Sequence, residues 1–135
     1  MEIDHLTVPV RDYLTSKRFY ERALHPLGFV VLLDWPDRRR VYFGLAHRPS
    51  TLWLVESDLA GNLEVSLAAA DPEGVDGFHA AAVAAGGRSG SEPAIRLEQS
   101  RDYYAARVVD PDGNAIEAVF RGTTAARGSR RPLAA

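Results

Sequence analysis

The sequence contains no cysteine, and this absence excludes disulfide bonds, thiolate metal sites and cysteine nucleophiles. The sequence also lacks an excess of positive charge. The net charge is −2, so no electrostatic argument supports a nucleic-acid partner. No apolar run approaches the length of a membrane-spanning helix. The first residues, MEIDHLTVPV, carry acids where a secretory signal needs basic residues. These absences predict a cytoplasmic protein without membrane or nucleic-acid partners.

What is present suits one domain with its own hydrophobic core. The chain has 135 residues, of which 46% are hydrophobic and 25% charged. We expect a single domain over residues 1–121, built from a first module at about 1–58 and a second at about 59–121. Residues 122–135 are rich in arginine and alanine. This segment is interpreted as a solvated tail, with a docking arm that crosses onto a partner subunit as the alternative.

The sequence repeats itself with a nearly constant spacing. IDHLTVPV (3–10) and NLEVSLAA (62–69) both alternate as strands do, and each precedes an acid and an amphipathic helix. A separation of 59 residues relates several pairs of positions: His5 and Glu64, Asp12 and Asp71, Phe19 and Phe78, Gly28 and Gly87. The repeat therefore predicts two copies of one structural unit.

Beyond the helices, a separation of 61 aligns the two halves and implies two extra residues in a second-half loop. It places Tyr42 on Tyr103 and Glu56 on Glu117. The remaining strands are predicted at 29–35, 39–46 and 51–57, and at 88–97, 103–109 and 114–121. Each unit is then strand–helix–strand–strand–strand, which is an α+β fold. Because one helix cannot cover both faces of a four-stranded sheet, the two units must combine.

Four side chains suited to metal binding fall at repeated positions: His5, Glu56, Glu64 and Glu117. His5 and Glu64 lie on the strand face opposite the large apolar residues, and that face should line a cavity. One imidazole and up to three carboxylates suit a divalent metal. Carboxylates at close quarters repel one another, so they need a cation, a shared proton or separation. A metal would supply that cation and act as a Lewis acid.

Aromatic residues on the predicted strands are candidates for a substrate pocket. They either pack in the core or form a pocket wall with a few polar groups. The candidates are Tyr42, Trp53, Tyr103 and Tyr104. Arg40 and Arg107 also lie on strands, where they could pair with an anionic substrate or with the excess carboxylates.

Five stretches carry a resemblance to a known superfamily: DHLTVPVRD, SKRFYERALHPLGF, LWLVE, FHAAAVAAGGR and DPDGNAIEAVF. The chain resembles the vicinal oxygen chelate superfamily, which includes glyoxalase I, bleomycin-resistance proteins and extradiol dioxygenases. The resemblance implies paired βαβββ modules that form a half-barrel around a metal, and a homodimer. It also implies that His5, Glu117 and Glu56 are metal ligands.

Glu64 departs from the superfamily pattern, which has histidine there. A carboxylate in place of an imidazole makes the site harder and favours Mn²⁺, Fe²⁺, Mg²⁺ or Co²⁺, with Ni²⁺ and Zn²⁺ as further candidates. The same change fits a site in which the metal has been lost. Because the chain offers one histidine at these positions, the two-histidine triad of Fe(II) oxygenases is incomplete.

Three functions remain open from the sequence. The first is a glyoxalase-I-like, metal-dependent lyase or isomerase that acts on a small oxygen-bearing substrate, with Glu56 or Glu117 as general base. The second is a non-catalytic protein of the bleomycin-resistance type, whose acidic, aromatic-lined groove binds a cationic or aromatic compound. The third is a structural dimer with scattered, solvated carboxylates. Carboxylates that converge within metal-ligand distance of one point would favour the lyase or isomerase over the other two functions.

Overall fold

A computed structural model describes residues 3–48 and 51–122. The described part contains eight strands and two α-helices in the predicted order. Their bounds are β1 (His5–Val10), α1 (Tyr13–Leu24), β2 (Val30–Trp35), β3 (Arg40–Gly44), β4 (Thr51–Glu56), β5 (Glu64–Ala68), α2 (Pro72–Ala84), β6 (Arg88–Ile95), β7 (Tyr103–Val109) and β8 (Ala115–Arg121). Apart from Gly122, the tail predicted at 122–135 lies outside the described residues.

The strands form two four-stranded mixed sheets with the same topology. One sheet has the order β1-β4-β3-β2, and the other has the order β5-β8-β7-β6. In each sheet the first strand of the module runs parallel to the last, and the remaining pairings are antiparallel. The predicted α+β fold of two βαβββ modules is therefore confirmed. Among the described helices, none is long and apolar enough to cross a membrane.

One hydrophobic core joins the two modules. The buried face of the first sheet contributes Val8 and Leu54, and α1 contributes Phe19. Phe78 of α2 and Val108 of β7 belong to the same cluster. Burial of a phenylalanine contributes about 2–3 kcal/mol, so these contacts decide which face of each sheet is covered. We call the opposite face of each sheet, which the helices do not cover, its open face.

Both helices begin at the predicted acids. The Asp12 carboxylate accepts the Thr15 backbone N–H at 2.9 Å, and Asp71 accepts the Gly74 backbone N–H at 2.7 Å. Each side chain satisfies a backbone donor that has no partner within the first helical turn. The side-chain and backbone hydrogen bonds from Thr15 lower the pKa of the Asp12 carboxyl group.

The turn between β7 and β8 connects the second module to the first. Buried Asp110 accepts hydrogen bonds from the Asn114 backbone N–H at 2.8 Å and from the Tyr20 hydroxyl of α1 at 2.5 Å. Asn114 accepts the Leu63 backbone N–H at 3.0 Å. On the adjoining surface, the Asp112 carboxylate accepts the Arg11 backbone N–H at 3.2 Å. This turn therefore fixes the position of α1 and β5 relative to β8.

The structure corrects the register predicted for the last strand of each module. Thr7 on β1 pairs with Trp53, and Ser66, its equivalent on β5, pairs with Glu117. Trp53, not Glu56, is thus the counterpart of Glu117. Tyr42 and Arg107, which pair with these two residues, are counterparts on the third strands. The predicted spacing of 61 is wrong because the second strand and the following connection are longer in the second module.

Candidate functional site

Four rings cross the open face of the first sheet from one edge to the other. The rings of His5 and Trp53 are 3.5 Å apart at an angle of 8°, and those of Trp53 and Tyr42 are 4.2 Å apart at 11°. Trp35 then meets Tyr42 edge-on at 5.6 Å. We call these four residues the aromatic stack. Because β1, β4, β3 and β2 contribute one ring each, the strand order itself builds this surface.

Two hydrogen bonds and one cation contact rings of the aromatic stack. The Trp53 indole Nε1–H donates to the Thr51 hydroxyl at 2.7 Å, which fixes the indole ring on the sheet. His5 Nδ1 lies 2.9 Å from a carboxylate oxygen of Asp4. At the other end, the Arg38 guanidinium lies 5.2 Å from the centre of the Trp35 ring, in cation–π range. The sequence analysis did not include Trp35 among the pocket candidates. In the structure, strand pairing places Trp35 beside Arg40 and on the same face as Tyr42.

Glu56 lies on the opposite face of the sheet from the aromatic stack. It pairs in register with buried Val10, so its side chain points toward α1. There the carboxylate accepts the Tyr13 backbone N–H at 3.0 Å and lies 3.5 Å from Arg39 Nε. The carboxylate binds the first turn of α1, where a negative charge is favourable. The prediction that Glu56 shares a cavity with His5 is corrected, because the strand register turns it to the covered face.

Glu117 lies on the open face of the second sheet, as predicted, and two hydroxyl groups hold it. Ser66 Oγ and the Tyr103 hydroxyl both donate to the same oxygen, Oε1, at 2.5 and 2.7 Å. The hydrogen bond to Glu117, followed by burial, raises the pKa of the Tyr103 hydroxyl. These contacts compensate a carboxylate that lies between Ala115 and Val119 along β8. Among the described residues, no hydrogen bond is directed at Oε2.

A polar cavity of about 300 Å³ opens beside Glu117. Tyr103 and Arg107 line it from β7, and Arg96 and Gln99 line it near the β6–β7 connection. The structure thus brings together three predicted site residues, Glu117, Tyr103 and Arg107. Predicted ligand Glu64 extends into solvent with 75% of its side chain exposed, and its carboxylate is 3.9 Å from Arg107 Nη1.

Tyr104 does not contribute to this cavity. It pairs with Phe120, which belongs to the hydrophobic core, so it lies on the covered face of the second sheet. Its hydroxyl donates to Asp76 of α2 at 2.5 Å, and this hydrogen bond, followed by burial, raises the pKa of the hydroxyl to about 12. The prediction that Tyr104 lines the pocket is therefore corrected.

An apolar crevice of about 280 Å³ lies between the first strands of the two modules. Leu6 borders it from β1, and Val65 and Leu67 border it from β5. Thr51 and Ser66 also line it, and these two residues hydrogen-bond to Trp53 and Glu117 respectively. The crevice therefore adjoins the residues that hold the aromatic stack and Glu117.

The predicted metal ligands do not fit a metal centre in the described chain. No group of three or more histidine, aspartate or glutamate side chains in residues 3–48 and 51–122 lies close enough to hold one ion. Trp53 occupies the position in the first module that Glu117 occupies in the second, so a ligand position there lacks a donor atom. Glu56 binds a helix terminus, and Glu64 is solvated. The described site therefore offers a ligand aromatic rings, hydroxyl groups, guanidinium groups and the carboxylate of Glu117.

Comparison with known proteins assigns the chain to a family. The family described as the Glyoxalase/Bleomycin resistance protein/Dioxygenase superfamily matches residues 2–118. The chain belongs to this superfamily. The resemblance drawn from the sequence is thereby confirmed, and the two mixed sheets are those of the glyoxalase fold.

Solved structures similar to this chain include both an enzyme and a binding protein. A glyoxalase/bleomycin resistance protein from Albidiferax ferrireducens is 31% identical with a TM-score of 0.76, over 88% of this chain and 98% of that one. An antibiotic-binding protein from Streptomyces sp. CB03234 is 25% identical with a TM-score of 0.67, over 90% and 97%. A glyoxalase-related enzyme from Fulvimarina pelagi, at 18% identity and a TM-score of 0.69 over 90% and 88%, shares the fold. Comparison with curated proteins gives no match.

Proposed function

We propose that this member of the glyoxalase/bleomycin resistance superfamily binds a small aromatic molecule on the aromatic stack and does not act as a metal-dependent enzyme. The substitution that carries the proposal is Trp53 at the position equivalent to Glu117. A carboxylate there would be a potential metal ligand, whereas an indole ring supplies no metal ligand and makes the aromatic stack continuous. In this chain the indole stacks on the imidazole of His5.

The surface chemistry of the first sheet supports aromatic binding. Ligand sites combine aromatic walls with a few placed polar groups, and the aromatic stack supplies such a wall. Trp35 remains 39% exposed at its end, so a ring of the ligand has an indole surface to contact. Offset or edge-to-face contacts between rings contribute about 0.5–1.5 kcal/mol beyond area burial. Among the similar structures, the antibiotic-binding protein from Streptomyces is consistent with this function.

The metal-dependent lyase or isomerase expected from the sequence is less well supported by the residues. A general base next to a bound metal requires the carboxylates to converge, and Glu56 and Glu117 lie on different faces of different sheets. Glu117, Tyr103 and Arg107 instead form a polar cavity suited to hydrogen bonding with a ligand. The homodimer that the superfamily resemblance implies stays a prediction. Light scattering would test it by measuring the mass of the protein in solution.

Tryptophan fluorescence tests the proposed function directly. The chain has two tryptophans, and both belong to the aromatic stack, so their emission reports on this surface alone. We expect 2-naphthamide to bind saturably by calorimetry and to change this emission, with the same affinity in the presence of a metal chelator. Trp53→Leu should abolish binding, whereas the matched control Tyr104→Phe, on the covered face, should leave it unchanged. Binding that requires an added divalent metal, or no binding at all, would overturn the proposal.

A further inference from the structure

Arg40 lies on the open face of the first sheet and forms no ion pair with any residue that the structure describes. Its Nε atom is buried and has no hydrogen-bond partner among the described residues. No other hydrogen bond or ion pair of Arg40 occurs in residues 3–48 and 51–122. A guanidinium stays protonated at any physiological pH and presents five N–H donors. A buried donor without an acceptor is unfavourable, so an acceptor supplied by a ligand would stabilise this guanidinium.

The strand register places Arg40 directly beside the aromatic stack. Arg40 pairs with Trp35 on β2 and with Val55 on β4, and Tyr42 follows two residues later on the same face. Side chains that pair across strands have Cβ atoms about 4.5–5.5 Å apart. The guanidinium and the rings of Trp35 and Tyr42 therefore share one surface.

The neighbouring charges do not neutralise Arg40. Arg39 contacts Glu56, but both lie away from the open face, where Glu56 binds α1. Asp34 on β2 also points toward α1, where it accepts hydrogen bonds from the Tyr13 hydroxyl and lies 3.0 Å from Lys17 Nζ. Arg38 adds a second positive charge over the ring of Trp35. Arg38 and Arg40 outnumber Asp37, the acid of the same turn, so the charge beside the Trp35 end of the aromatic stack is positive.

We propose that the ligand of this surface is a planar aromatic acid, with its ring against the aromatic stack and its carboxylate on the Arg40 guanidinium. This inference rests on the proposed function and names the chemical class of the ligand. A carboxylate matches the planar fork of a guanidinium and forms charge-assisted hydrogen bonds with it. This surface should therefore prefer an anionic ligand. An acidic groove, as expected from the sequence, would instead select a cationic one.

A pair of ligands that differ in charge tests this inference. Binding of 2-naphthoate and of 2-naphthamide is measured by calorimetry on the full chain, because the two share a ring system and differ in the carboxylate. We expect the wild-type protein to bind the carboxylate about tenfold or more tightly than the amide. Arg40→Gln should remove this preference, because it should weaken binding of the carboxylate about tenfold or more while changing the affinity for the amide much less. Arg40→Lys keeps the positive charge without the planar guanidinium, so it should retain part of the preference for the carboxylate.

Controls separate the inference from the function on which it rests. Arg88→Gln removes an exposed positive charge from the other sheet and should keep the full preference for the carboxylate. An unfolding midpoint in urea equal to that of the wild-type protein shows that Arg40→Gln is folded. Equal affinities of the wild-type protein for the two ligands would overturn the aromatic-acid inference and leave the proposed function standing. Failure of both ligands to bind would overturn both.

Discussion

The imidazole ring of His5 lies parallel to the indole ring of Trp53, at 3.5 Å between ring centres. His5, which the sequence predicted to be a metal ligand, thus packs against Trp53. The equivalent position in the second module holds the carboxylate of Glu117. His5 Nδ1 is engaged by Asp4, which leaves Nε2 as its other ring nitrogen. The same strand positions in the second module hold Glu64 and Glu117. The two halves of the repeat therefore carry different side-chain chemistry on equivalent strands.

Placing a carboxylate at position 53 should increase metal binding. We expect wild-type protein purified without chelator to contain well under one divalent ion per chain, and Trp53→Glu to raise Mn²⁺ occupancy, because it places a carboxylate beside His5. Inductively coupled plasma mass spectrometry measures both. Glu56→Gln is the matched control and should change nothing, since Glu56 lies on the covered face. About one ion per wild-type chain, lost in Glu117→Ala, would contradict this prediction and support the lyase.

Tyr20 should contribute more to stability than Tyr104, although each hydroxyl donates to an aspartate at 2.5 Å. The Tyr20–Asp110 pair is buried between α1 and the β7–β8 turn, whereas the Tyr104–Asp76 bond is exposed. We expect Tyr20→Phe to lower the free energy of unfolding by about 1.5–3 kcal/mol, the range for a hydrogen bond to a charged group. Tyr104→Phe should cost about 0.5 kcal/mol or less. Urea unfolding provides both values, and equal losses would contradict the assigned role of burial.

Tyr13 should make the protein lose stability in alkaline solution. Burial, followed by its hydrogen bond to Asp34, raises the pKa of the Tyr13 hydroxyl from 10.0 to about 12. Because the unfolded chain loses this proton first, the stabilisation is complete below pH 10 and is lost as the pH rises through about 12. Unfolding measured across this range should show a shallower decline for Tyr13→Phe than for the wild-type protein. An identical decline would contradict the prediction.

The fold could be predicted because it depends on local signals that repeat. Alternation on β1 and β5, the acids Asp12 and Asp71 before each helix, and the turn at 110–114 all act over a few residues. The register of β4 could not be predicted in the same way. A one-residue change in register turns a side chain to the other face, and the lengths of the preceding strand and connection differ between the modules. This is why Glu56 was placed in the cavity and Trp53 was not recognised as the counterpart of Glu117.

Sequence by itself determined the two βαβββ modules, the superfamily and the placement of His5 and Glu117 on open faces, because hydrophobic periodicity decides which face of a strand is buried. Tertiary structure alone decided which side chains meet. Strand pairing brought His5, Trp53, Tyr42 and Trp35 into one stack, although His5 lies 30 or more residues from the others along the chain. It also set Arg40 beside the stack, where its Nε has no hydrogen-bond partner among the described residues. Contacts across strands depend on register, and register depends on loop lengths and packing that no short stretch of sequence contains.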